Sequence, residues 1–181
     1  MKRFLLLLVL SLVMVGCGKK PEDKPQPASS TPYGSPQDVS AYFQAIDPLV
    51  QQLNGLHQEL YQKVGSSGKA TGANLAPAMA QGKPQLQQVL AQLEKTTPPP
   101  LLAPFHEQLK KLVLLRLDAY GLTAEGWKQE QAKTPQFENQ YNRGEAKLAE
   151  AQQLGGQLGA ERERIQQVLA QAQAPPQAAP R

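Results

Sequence analysis

"TTPPPLLAPFHEQLKKLVLLRLDAYGL", residues 96–122, holds three consecutive prolines followed by a long apolar run. Prolines 98–100 donate no backbone hydrogen bond and bias the residues before them toward extended backbone. A helix arriving at Thr96 therefore stops there, and the chain turns before the next begins. Beyond the turn, apolar residues lie around much of a helical circumference, which predicts the most buried helix of the fold over about residues 101–131. Pro104 falls in its first turn, where proline is tolerated. A reversal of this kind in mid-chain argues against one long rod and for helices folded back on one another.

The flanking segments carry the same rhythm. Upstream, "SPQD" offers Ser35 as a helix cap, Pro36 at the first helical position and Asp38 in the first turn. Val39, Ile46, Leu53 and Leu60 then recur every seven residues, with Tyr42, Leu49 and Leu56 between them. This stripe runs to "GSSG" at residues 65–68. Pro48 lies inside it and predicts a kink or a division. After the loop, Leu75, Met79, Leu86, Val89 and Leu93 form a second stripe, with a bend or short break expected at Gly82 and Pro84. Downstream, Thr134 and Pro135 look like a cap and first helical residue. Phe137, Tyr141, Leu148, Ala151, Leu158, Ile165 and Leu169 follow the same spacing to about residue 173. Gly144, Gly155, Gly156 and Gly159 weaken this helix or let another helix approach it. Alternating runs of β-branched residues are absent. The expected fold is all-α: an antiparallel up-down bundle of about four helices over residues 35–173, with a disordered tail at 174–181.

Little chemistry is written on these helices. The two histidines, His57 and His106, lie on or beside apolar stripes and read as packing residues. A pair facing each other in a bundle core would suit a haem or a metal, with Met79 as an axial ligand, but no HExxH, CxxCH or Glu-x-x-His pattern accompanies them. No nucleophile elbow, P-loop or dinucleotide fingerprint occurs. Asp38, Asp47 and Asp118 have no nucleophile context. The reading is therefore no catalytic residue, no cofactor, no metal and no enzyme. The formal charge of +4 includes Lys2 and Arg3, and the isoelectric point near 9.2 is inflated by them, so there is no basic footprint for nucleic acid.

The single cysteine, Cys17, carries the most specific signal. Lys2 and Arg3 precede a twelve-residue apolar run at residues 4–15, broken only by Ser11. This is the plan of a secretory signal and is shorter than the ~20 residues of a membrane-spanning helix. "MVGC", Met14, Val15, Gly16 and Cys17, resembles the lipobox of bacterial lipoproteins, with Met14 where that family usually has leucine. The resemblance implies cleavage after Gly16 and acyl chains such as palmitate on Cys17. One such chain holds only marginally, whereas two or three anchor firmly at ~0.8 kcal/mol per buried methylene. With no second cysteine, a disulfide or thiolate metal site within the chain is ruled out. Residues 1–16 are then a signal peptide, and 17–34 an acylated cysteine and a Pro- and Ser-rich disordered tether. Gly18 follows Cys17 in place of the aspartate that commonly retains such proteins in the inner membrane, which implies the outer membrane in a Gram-negative host.

Residues 98–122 also look like a pattern in helical bacterial lipoproteins of uncharacterised role, in which a Pro-Pro turn starts a helix with an early histidine and regular leucines; here these are Pro98–Pro100, His106, and the stripe Leu109, Val113 and Leu117. The expectation is a cell-envelope lipoprotein held to the membrane by its lipid. Its bundle would interact with or scaffold an unidentified envelope protein. The alternative is a ligand- or cofactor-binding bundle.

Overall fold

The structure of the protein, a computed structural model, describes residues 30–65 and 71–173. The expected signal peptide (1–16), Cys17 with its expected lipobox, most of the expected tether, residues 66–70 and the expected tail at 174–181 lie outside the described residues. Four helices account for most of the rest: α1 (Pro36–Gly65), α2 (Gly72–Lys95), α3 (Ala103–Gln131) and α4 (Phe137–Gln173). A single 3₁₀ turn, Pro100–Leu102, leads into α3. Among the described residues no helix is long and apolar enough to cross a membrane.

The caps explain where helices begin and end, and they correct one expectation. Ser35 caps α1 as its sequence suggests: its hydroxyl accepts from the Asp38 amide at 3.4 Å. Thr134 does not cap α4. Its amide instead donates to the Gln129 carbonyl at 2.9 Å, while Lys133 donates to Glu130 at 3.0 Å. With Lys133 in the left-handed region at φ 53°, this is the paired-bond terminator of α3. Thr134 and Pro135 are thus spent on ending one helix. A second left-handed residue, Gln136 at φ 81°, follows before α4 starts at Phe137.

Two expected interruptions do not divide their helices. α1 runs unbroken through Pro48, and α2 through Pro77, Gly82 and Pro84. Pro48 and Pro84 are exposed, so each ring projects outward and its cost stays local. Apolar residues fixed on the opposite face, Ile46, Leu49 and Leu53 in α1 and Leu86 and Val89 in α2, hold the helices together. Order also begins earlier than the tether reading allowed. Thr31 and Gly34 exchange backbone hydrogen bonds at 2.9 and 3.0 Å, and Tyr33 packs against the core.

Pairwise contacts give the topology. On α3 and α4, Lys111 meets Glu150, Ala119 lies beside Gly144, and Gly126 lies under Tyr141, so numbers climb on one helix as they fall on the other. α1 and α3 run in the same direction: Tyr42 reaches His106 and Leu53 reaches Arg116. The bundle is therefore up-down-up-down, with α1 diagonal to α3. α3 packs closely along both α2 and α4, and it is the most buried helix, as its composition predicts. One core joins all four helices, centred on Ile46, Leu53, Met79, Leu86, Leu93, Val113 and Ile165.

A cleft at the seam of α1 and α4

In a closed four-helix bundle each helix touches two neighbours along its length. Here α1 and α4 meet at only a few points. One is a clasp between Asp47 and Arg162, whose charged atoms stand 2.7 Å apart, with the Arg162 guanidinium 5.4 Å above the Phe43 ring. Beside the clasp the seam opens into a cleft of about 520 Å³. This lies within the range of roughly 300–1,000 Å³ typical of small-ligand sites.

Residue size on α4 accounts for the opening. Ala151, Gly155 and Gly159 succeed one another at four-residue intervals and line one wall. Such a strip usually draws helices together, yet a methyl placed on Gly159 would meet nothing within 4 Å, and one on Gly155 would only just touch Leu112. The missing side chains thus widen a groove. Gly144 behaves in the opposite way: there a methyl would stand 3.0 Å from the Thr123 hydroxyl and 3.3 Å from the Ala119 carbonyl. Of the four glycines singled out in the sequence, Gly144 serves close packing, Gly155 and Gly159 line the cleft, and Gly156 has open space around it.

Ile46, Val50 and Leu53 of α1 form the facing wall. Phe105, Leu109, Leu112 and Arg116 of α3 form the floor, and Asn54, Gln152, Glu163 and Gln166 contribute polar groups at the margins. Arg116 is the unusual member. It is only 7% exposed, and its one hydrogen bond among the described residues runs from Nη1 to the Leu53 carbonyl, at 2.7 Å. Among the described residues no carboxylate pairs with it. Burial lowers its pKa, and the nearby Tyr120 and Tyr61 phenols act in the opposite sense. An arginine stays charged under such a shift. A buried cation without a counter-charge costs several kcal/mol by general estimates, so this position is expensive to maintain.

His57 closes one end of the cleft and also lines a second cavity of about 570 Å³. Burial first, and the Arg116 charge second, lower its pKa, which keeps the imidazole neutral at pH 7. Its ring stands edge-on to Tyr61, with centroids 4.6 Å apart. The second cavity is mostly apolar, walled by Leu60, Leu75, Met79, Phe137 and Leu148. Tyr141 borders it and donates to Glu130 at 2.7 Å; burial and this carboxylate raise the phenol's pKa. Gly72 and Gly126 leave room for the Tyr141 ring, and a side chain at Gly72 would collide with its hydroxyl.

The structure separates the residues singled out in the sequence. His106 lies outside both cavities, 3% exposed, with Nδ1 3.0 Å from the Tyr42 hydroxyl. This hydrogen bond joins α1 to α3, and burial lowers the pKa of the ring. His57 and His106 do not face each other. Met79 is a core residue that also borders the second cavity with His57. Among the described residues no group of three His, Cys, Asp or Glu side chains could hold a metal. Cys17, Met14, Val15 and Gly16 lie outside the described residues.

Arg116 is the residue that sequence reading missed. The signal was present: Leu109, Leu112, Arg116, Ala119 and Thr123 share one face of α3, so a charge stands on an apolar stripe. Reading the stripe through Leu109, Val113 and Leu117 instead left Arg116 unremarked. Compared with known proteins, the chain matches no family model, no curated protein and no solved structure.

Proposed function

We propose that this chain is a lipid-anchored cell-envelope protein whose helical bundle binds a small ligand in the cleft between α1 and α4, without transforming it. The anchor rests on the basic start, the short apolar run and the Met14–Cys17 lipobox pattern. The binding role rests on one observation: an amphipathic cleft floored by a buried, charge-unpaired arginine. This favours ligand binding over scaffolding. Among the described residues the large exposed hydrophobics are Tyr61, Leu101 and Leu114, separated over α1, the turn and α3. They make no single apolar docking face.

Two experiments test the two halves. Intact mass of the protein extracted from host membranes should begin at Cys17 and carry acyl chains; an unlipidated mass would remove the anchor. A polypeptide of residues 18–181, which holds all four helices and their core, should bind the neutral dye Nile red at one site. Gly159→Leu should fill the cleft and abolish that binding while the bundle stays folded. Undiminished binding to the filled variant would remove the cleft from the account.

A further inference from the structure

We infer that the ligand of this cleft is a single-chain amphiphile with an anionic head, of the class of a long-chain carboxylate, seated with its head on Arg116. The inference rests on the ligand-binding reading above and adds the chemistry of the ligand.

Three features of the cleft specify that class. Arg116 has hydrogen-bond donors to spare, since a guanidinium offers five and Leu53 takes one. A carboxylate is the partner its planar fork matches best, and it would supply the missing counter-charge. Apolar wall residues, Ile46, Val50, Phe105, Leu109 and Leu158, make up much of the remaining surface, which suits a hydrocarbon chain and not a bare anion. The other charges are placed so as not to compete. Arg162 is engaged with Asp47 at the clasp, Glu163 is exposed, and His57 is held neutral. Among the described residues the floor therefore presents one positive charge without a carboxylate partner, beneath a cleft with apolar walls and polar margins. A protein tethered to a lipid surface would have such amphiphiles close at hand.

The test is a binding titration of the 18–181 polypeptide with palmitate, hexadecanol and acetate, followed by fluorescence or calorimetry. Palmitate should bind at one site per chain. Hexadecanol shares the chain and lacks the charge; acetate shares the charge and lacks the chain. Both should bind at least about tenfold more weakly, the value of one charge-assisted hydrogen bond. Arg116→Met should erase the preference for palmitate over hexadecanol while leaving hexadecanol binding in place. Should that variant fail to fold, Gly159→Leu blocks the cleft without touching Arg116 and should abolish palmitate binding. Equal affinity for palmitate and hexadecanol would overturn the anionic head while keeping the cleft as a binding site. Palmitate binding that survives Gly159→Leu would overturn the location. Acetate binding as tight as palmitate would overturn the need for a chain and point to a small-anion site.

Discussion

Replacing two glycines of α4 by alanine should move stability in opposite directions. Alanine favours a helix interior over glycine by about 1 kcal/mol, whichever glycine is replaced. What differs is the space. At Gly159 the new methyl meets nothing within 4 Å, so the full propensity gain is realised. For a domain of this size that corresponds to a rise in melting temperature of roughly 3–5 °C. At Gly144 the methyl presses on the Thr123 hydroxyl at 3.0 Å and on the Ala119 carbonyl at 3.3 Å. The second contact is backbone of α3, so relief requires moving α4 away from the helix it packs against most closely. Overpacking of this kind costs about 1–3 kcal/mol, which cancels or exceeds the gain. Urea unfolding of the 18–181 polypeptide, with unchanged m-values as the check on two-state behaviour, measures both. Equal stabilisation by the two alanines would refute the argument, because it would mean that the α3–α4 contact is no tighter at Gly144 than the cleft wall is at Gly159.

Three further outcomes follow from the same packing. Tyr42→Phe leaves His106 Nδ1 buried without its hydrogen-bond partner and should cost about 1–3 kcal/mol by urea unfolding; a neutral result would remove the hydrogen bond from the account. His57 and His106 both have lowered pKa values in the fold, so the unfolded chain takes up protons first. Stability should be intact above about pH 6.5 and should fall as the pH drops through the ordinary histidine range, and unfolding midpoints that do not change between pH 7.5 and 5.5 would contradict this. Pro48→Ala restores a backbone donor at an exposed position of α1 and should stabilise by about 1–3 kcal/mol; a loss of stability would show that the proline is needed where it stands.

The elements of the fold were legible because they rest on local chemistry. The seven-residue recurrence of Val39, Ile46, Leu53 and Leu60 needs no knowledge of partners, and all four are buried as that spacing requires. The prolines at 98–100 read correctly as a reversal for the same reason. The start of α4 was misread because Thr134 and Pro135 satisfy the local pattern of a helix start, while the carbonyls of α3 compete for the Thr134 amide. Pro48 and Pro84 do not break their helices, because a local penalty says nothing of the tertiary burial that outweighs it.

The cleft was almost wholly hidden. Whether Gly155 and Gly159 draw two helices together or hold a groove open depends on how far α1 stands from α4, and no pattern within α4 encodes that distance. Arg116 could have been found as a charge on an apolar face, but its missing counter-charge is a property of what α1 and α4 bring near it. The histidines drew attention because of their chemistry; one of them, His106, serves packing, and the other lies at the end of a cleft floored by an arginine.

The most direct test of the account is a nuclear magnetic resonance titration of the ¹⁵N-labelled 18–181 polypeptide with palmitate. The account predicts that the Arg116 Nε resonance and the Gly155 and Gly159 amides shift together and saturate at one equivalent, while Gly34, at the turn before α1, does not move. Saturable shifts confined to other residues, or none at Arg116, would contradict it.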